Sequence, residues 1–106
     1  TVRWIERFPN ERTGQTDLTW NQLGRINRAV ITLAVQDRYG TPLTDRALLS
    51  VAVHEIGHAL GLPHSANSAD VMFPEPRVTT PSARDARTVS FLYQLPGGSI
   101  KSGFLP

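Results

Sequence analysis

The longest apolar stretch of the chain predicts a buried helix. Between Asp45 and Leu60, apolar residues occupy most of the circumference of an ideal helix. Thr44 is the expected N-cap, and Asp45 suits the positive end of the helix dipole. The β-branched residues of this stretch are only moderate helix formers, so packing rather than propensity should hold it. A helix this apolar is expected to be covered on most sides.

The N-terminal part of the chain favours β-strands. Residues 2–8 are rich in β-branched and aromatic side chains and predict a strand, whereas Pro, Asn, Gly and Asp in residues 9–17 predict a loop. Residues 18–20 predict a short strand that breaks near Gly24. Residues 26–35 fit both a helical stripe and one face of a strand. Their β-branched density and the flanking Gly24 and Gly40 favour the strand.

The C-terminal part predicts a turn, a second helix and a tail. Residues 37–42 carry turn-forming residues. Ser82 and Asp85 have the spacing of a capping box that opens a helix. The apolar stripe of that helix consists of Ala86, Val89, Leu92 and Tyr93. Pro96 and the glycines after it end the helix, and residues 97–106 predict a loose tail.

One motif, H-E-x-x-H-x-x-G-x-x-H, carries the candidate chemistry. His54 and His58 are one helical turn apart, so their imidazoles share a face and can reach one zinc ion. Glu55 lies beside that ion and is suited to act as a general base. Gly61 can end the helix, so that the chain turns and delivers His64 as a third ligand. Three protein ligands leave the fourth zinc position open, as in catalytic rather than structural sites.

The motif must be weighed against chance. A bare H-E-x-x-H recurs in unrelated helices. Here the third histidine and the glycine both fall at the required offsets, and all three histidines of the chain belong to the motif. We therefore predict one catalytic zinc ion bound by His54, His58 and His64.

Composition narrows the remaining possibilities. The 106 residues, 40% hydrophobic and 19% charged, suit one small globular domain. The net charge is +2 and no run of like charges occurs, which argues against a nucleic-acid partner. No stretch is long and apolar enough for a membrane span. Cysteine is absent, so disulfides cannot contribute.

Several segments together resemble the metzincin metalloproteases. His54 to Ser65 is similar to the metzincin signature, and the serine after the last histidine resembles the matrixin branch. Residues 70–74 resemble the Met-turn of matrixins, with Met72 as its methionine, and residues 82–93 resemble their closing helix. The resemblance is strong over residues 44–95 and weaker over residues 1–43.

The resemblance implies an α+β fold of the zincin or metzincin type. A small twisted β-sheet would pack on an active-site helix, followed by the Met-turn and a C-terminal helix. We expect a single catalytic domain over residues 1–106. The sheet region would cover residues 1–43, the active-site helix residues 44–61, and the Met-turn, C-terminal helix and tail residues 62–106. Met72 would form an apolar floor beneath the three imidazoles.

The implied function is a zinc-dependent endopeptidase. It would hydrolyse peptide bonds through a zinc-bound water, with Glu55 as the general base. A protein or peptide substrate would pair with an edge strand of the sheet, which we expect between Trp20 and Val35. The resemblance also implies that the protein is secreted or extracellular. The alternative is a non-catalytic zinc-binding or peptide-binding module with an incomplete metzincin fold, although pure binding would not require Glu55.

The sequence also departs from the matrixin pattern. No histidine is left for the second, structural zinc of matrixins, and no aspartate-rich calcium loop is evident. Pro74-Glu75-Pro76 replaces the usual Pro-x-Tyr wall of the substrate pocket, which leaves the substrate preference open. The strand and backing helix that usually open the domain do not precede Thr1. We therefore expect an uncovered apolar face, and either self-association or a missing N-terminal segment that covers it.

Overall fold

A computed structural model describes residues 1–92 of the chain. Three strands are followed by two helices, in an α+β arrangement that agrees with the predicted fold class. The strands are β1 (Val2–Ile5), β2 (Gly14–Trp20) and β3 (Ile26–Ala34), and the helices are α1 (Asp45–Ala59) and α2 (Ala83–Leu92).

The sheet has the order β1-β3-β2, with β1 parallel and β2 antiparallel to β3. The strand predicted over residues 26–35 is therefore confirmed, but it lies in the centre of the sheet. Its last four residues, Ile31 to Ala34, are all buried, as expected for a strand paired on both sides and covered by a helix. The expectation that residues 20–35 form an edge is wrong, because the edge strands of this sheet are β1 and β2.

Strand β2 begins earlier than predicted. Residues 14–17 were expected in a loop, but they pair with β3 in an antiparallel register. The predicted three-residue strand at residues 18–20 is the end of this longer strand, and β1 ends at Ile5 rather than at residue 8. The register sets Thr16 opposite Ile31, on the face that packs against α1. Pairing with β3, the next strand of the chain, overrides the weak local propensity of these polar residues.

Helix α1 begins and ends as predicted. The Thr44 hydroxyl accepts a hydrogen bond from the backbone N–H of Ala47 at 3.1 Å, which is an N-cap interaction. At the other end Gly61 adopts a φ of 95°, a left-handed conformation that glycine readily accommodates. The backbone N–H of Leu62 then donates to the carbonyl oxygen of Gly57 at 3.0 Å. This closure of the last turn sends the chain back towards the helix.

Helix α1 lies between the sheet and the C-terminal segment. On one side Val51 packs against Ile31 and Leu33 of β3. The second apolar cluster is formed by the buried residues Leu62, Val71 and Met72, with Val53, Val78 and Val89 packed against it.

Helix α1 is covered on most sides, as expected, but part of its apolar surface is exposed. Leu49 and Ile56 are 52% and 49% exposed, and Leu60 just after the helix is 40% exposed. The sheet and the C-terminal segment cover two sides of the helix, and these side chains lie on neither side. Trp4 of β1 is also exposed, so apolar side chains are open to solvent on the sheet as well as on the helix.

The start of α2 is a capping box, as predicted. The backbone N–H of Ser82 donates to Asp85 Oδ2 at 2.8 Å, and the backbone N–H of Asp85 donates to Ser82 Oγ at 3.1 Å. Of the predicted apolar stripe, Val89 joins the second cluster but Ala86 is exposed. The Leu92 side chain, Tyr93 and the predicted tail lie outside the described residues. Neither α1 nor α2, the helices of the described region, is long and apolar enough to cross a membrane.

Candidate active site

The three histidines of the motif come together at one point. The ligand nitrogens of His54, His58 and His64 all lie within 4.8 Å of one another. His54 and His58 are buried on α1, while His64 is exposed on the segment that follows the helix. All three line a cavity of about 560 Å³, together with Glu55. The helix and the turn at Gly61 thus place the sequence-predicted group around one cleft.

Backbone carbonyl groups orient the two helical imidazoles. His54 Nδ1 lies 2.7 Å from the carbonyl oxygen of Val71, and His58 Nδ1 lies 2.8 Å from that of Leu62. A carbonyl oxygen can only accept, so Nδ1 of each ring carries the donated proton. The lone pair of each neutral ring is then on Nε2, which is the arrangement of metal-binding histidines.

One pair of these nitrogens is spaced like two ligands on one metal ion. His58 Nε2 and His64 Nε2 are 3.2 Å apart. Two nitrogens bound to one tetrahedral zinc at about 2.0–2.1 Å are separated by about 3.4 Å. Two lone pairs directed at each other at this distance repel unless a proton or a cation lies between them. The donor set fits a zinc ion, and His58 and His64 already have nearly the spacing of two ligands on one such ion.

Burial keeps these imidazoles in the form that binds metal. Burial lowers the pKa of His58 to about 4, although its hydrogen bond to Leu62 acts in the opposite direction. Burial also lowers the pKa of His54, and partial desolvation lowers the pKa of the more exposed His64. Neutral imidazole is the metal ligand, so the three rings are prepared for a cation at neutral pH.

Glu55 faces the cleft from the same helix and contacts β2. Its side chain is buried, and the Thr16 hydroxyl donates a hydrogen bond to its Oε1 at 2.6 Å. Burial raises the pKa of Glu55, while the hydrogen bond from Thr16 opposes the rise. A carboxylate whose pKa is raised is a better proton acceptor.

Met72 lies in a turn beneath α1. The backbone N–H of Phe73 donates to the carbonyl oxygen of Asp70 at 3.2 Å, and the Met72 side chain is only 2% exposed. A Cβ atom added to Gly57 would overlap Met72 Sδ. Met72 therefore supports the helical turn that carries both histidines. Its role as a floor for the imidazoles stays a prediction.

Two aspartates outside the histidine motif connect the loops of the site. Asp85 Oδ2 accepts a hydrogen bond from the backbone N–H of Val71 at 3.0 Å. The carbonyl oxygen of Val71 is the group that orients His54. The capping-box spacing predicts the contact of Asp85 with Ser82, but no sequence signal points to Val71.

Asp70 joins the loop after His64 to the start of α2. Its buried carboxylate accepts hydrogen bonds from Ser65, Ser82 and Arg84. These bonds, that from Ser65 first, lower the pKa of Asp70 to about 2. The carboxylate is therefore ionised and fully partnered at neutral pH, which is a structural role.

The rim of the cleft is polar and carries both signs of charge. Its lining includes Glu11 and Arg12, which precede β2, and Pro74, Glu75 and Pro76, which follow the turn at Met72. The cavity also reaches the apolar side chains of Leu43, Ala47 and Val51. Gly14, the first residue of β2, lines the same cavity, so this edge strand borders the cleft.

Comparison with known proteins identifies the family. The matrixin family model matches residues 9–94. Human matrix metalloproteinase-26 is 36% identical over 72 residues, which cover 63% of this chain and 28% of that protein. Mouse matrix metalloproteinase-21 is 40% identical over 75 residues, which cover 64% of this chain and 12% of that protein. Rat macrophage metalloelastase is 44% identical over 54 residues, which cover 46% of this chain and 12% of that protein.

The chain spans less than a third of the length of these relatives. No solved structure matches it significantly. The family match nevertheless covers most of the chain and includes the whole histidine motif. This protein belongs to the matrixin family.

Proposed function

We propose that this protein is a zinc-dependent endopeptidase that cleaves peptide bonds of protein or peptide substrates. The observation that carries the proposal is the convergence of three histidine nitrogens, all within 4.8 Å of one another, on a cavity that also holds Glu55. Membership of the matrixin family supports the same reaction class.

One zinc ion would be held by His54, His58 and His64. When bound, zinc polarises a scissile carbonyl group and makes water more acidic. Within residues 1–92, no other group of three or more His, Asp or Glu side chains has ligand atoms this close together. This supports the proposal of a single zinc ion in this region.

Glu55 would carry the proton through the reaction. Its carboxylate accepts a proton from the attacking water and later delivers that proton to the nitrogen of the leaving amine. Two features suit it to both steps: it lines the cavity, and burial raises its pKa. Zinc and Glu55 together require no nucleophilic side chain.

The substrate would lie along β2. One edge of this strand pairs with β3, and within the described residues the other edge has no strand partner. Extended peptides bind to such edges through backbone hydrogen bonds. Gly14 lines the cavity, so a peptide paired with β2 would run past the three histidines. Secretion, which the family resemblance implies, is part of the same proposal.

The test is peptide cleavage at controlled zinc occupancy. A peptide mixture is incubated with the chelator-treated chain, with the zinc-restored chain and with zinc-loaded Glu55→Gln. We expect cleavage only by the zinc-restored wild type. Glu55→Gln should retain zinc but lose about 10²–10⁴-fold in rate, as removal of a general base does. Near wild-type rates in this variant would refute the role of Glu55. A zinc-loaded wild type that binds peptides without cleaving them would favour the binding-module alternative.

A further inference from the structure

A buried hydroxyl group on β2 contacts the carboxylate of the proposed general base. Thr16 is only 5% exposed, and its Oγ1 lies 2.6 Å from Glu55 Oε1 and 3.0 Å from the carbonyl oxygen of Glu55. Burying a hydroxyl group is unfavourable unless it is hydrogen-bonded, and Thr16 finds both of its partners in one residue. The two residues are 39 positions apart in the chain, so the contact depends on how β2 packs on α1.

Gly14 allows β2 to approach Glu55 this closely. It lies two residues before Thr16, on the same face of the strand. A Cβ atom at this position would be 2.6 Å from Val51 Cγ1 and 2.9 Å from Glu55 Cγ. Any larger residue would push the strand away from the helix or displace the Glu55 side chain. Gly14 and Thr16 thus form a seat for that side chain.

Thr16 makes a hydrogen bond to only one of the two carboxylate oxygens of Glu55. A threonine hydroxyl has one proton to donate, and Oε1 is the nearer of its two acceptors. Within residues 1–92, no other side chain makes a hydrogen bond to Glu55, so Oε2 is not engaged in this way. A side chain with three rotatable bonds is then held through one oxygen while the other is left for a reacting group.

We propose that Thr16 is a positioning residue, which fixes the Glu55 carboxylate through Oε1 so that Oε2 serves as the proton-accepting atom. This inference rests on the proposed endopeptidase function. It adds a requirement that the histidine motif does not contain: a hydroxyl group at position 16 of β2. The hydroxyl acts on the geometry of the base and touches neither metal nor substrate.

The test compares Thr16→Val, Thr16→Ala and Thr16→Ser with a matched control. Valine keeps the shape of threonine, and serine retains the hydroxyl group. Alanine also removes the hydroxyl group, so it shows whether an effect of valine comes from altered packing instead. Thr32→Val is the control, because Thr32 is also buried but lies opposite Gln15, on the other face of the sheet.

We expect kcat to fall about 10–100-fold in Thr16→Val and Thr16→Ala, as when a partner that orients an active-site group is removed. KM and zinc content should stay near the wild-type values. Thr16→Ser should recover most of kcat, and Thr32→Val should match the wild type. An unchanged kcat in both hydroxyl-free variants, or failure of serine to restore a lost kcat, would overturn the proposal.

A second readout does not depend on cleavage. The ¹³Cδ resonance of Glu55, assigned by its loss in Glu55→Gln, reports the hydrogen bond to the carboxylate. It should shift in Thr16→Val and Thr16→Ala and return towards the wild-type position in Thr16→Ser. An unshifted resonance in the hydroxyl-free variants would refute the contact. If the wild type cleaves no peptide, the proposed function fails, and this resonance still decides whether Thr16 holds Glu55.

Discussion

The packing of Met72 beneath Gly57 gives a prediction whose sign depends on the background. Gly57 lies in α1 between His54 and His58, and a Cβ atom added there would overlap Met72 Sδ. The next neighbour outside Met72, Leu62 Cδ1, would be at 3.5 Å, which is an ordinary contact. The clash expected in Gly57→Ala therefore comes from Met72 alone.

The magnitudes follow from two opposing effects. Overpacking a buried site costs about 1–3 kcal/mol, while alanine is favoured over glycine inside a helix by about 1 kcal/mol. Gly57→Ala should thus destabilise the wild type by about 0–2 kcal/mol. Met72→Ala removes a side chain that is 98% buried and should cost about 2–5 kcal/mol. In that background the clash is absent, so Gly57→Ala should stabilise the protein by about 1 kcal/mol.

A double-mutant cycle measures this coupling. Urea unfolding of the four proteins, with the metal removed by a chelator, gives the free energy of unfolding of each. We expect a coupling of about 1–3 kcal/mol between the two positions. Met72→Leu, which nearly conserves volume, should cost less than about 1.5 kcal/mol and serves as the control. The same effect of Gly57→Ala in both backgrounds would refute the packing of Met72 against the metal-binding helix.

Two further predictions concern the support and the titration of the site. Asp85→Ala should cost about 1–3 kcal/mol in urea unfolding, because it leaves the buried N–H of Val71 without its acceptor. It should also weaken zinc binding about 10–100-fold, since Val71 orients His54, and an unchanged affinity would argue against this link. In the metal-free Glu55→Gln variant, which removes the opposing titration of Glu55, stability should fall between about pH 6.5 and 4. Because the pKa of His58 is lowered to about 4 in the folded protein, acidification protonates this histidine in the unfolded chain before it does so in the folded one. We expect the free energy of unfolding to fall by about 1–3 kcal/mol over this range. Stability that is flat or rises on acidification over this range would contradict the burial of neutral imidazoles.

The features that could be predicted from sequence are those set by local geometry. Thr44, Gly61 and the pair Ser82 and Asp85 cap helices through contacts within a few residues, so their spacing alone identifies them. Likewise, the four-residue separation of His54 and His58 places both rings on one face of α1.

The features that could not be predicted depend on contacts between different strands and helices. The start of β2 at Gly14 is fixed by its register with β3 and by contact with α1, and its polar sequence resembles a loop. The hydrogen bond from Thr16 to Glu55 follows from the same packing, so no local sequence pattern predicts it. The half-exposed Ile56 was missed for a related reason, since composition cannot tell which side of an apolar helix a sheet will cover.

The central claim is that His54, His58 and His64 form one zinc centre. The most direct measurement is X-ray absorption spectroscopy at the zinc edge, on the chain loaded with one equivalent of zinc. We predict three imidazole nitrogens at about 2.0–2.1 Å and one further light-atom ligand, with one ion bound per chain. A spectrum with fewer than three imidazoles, or two tightly bound ions per chain, would contradict the account.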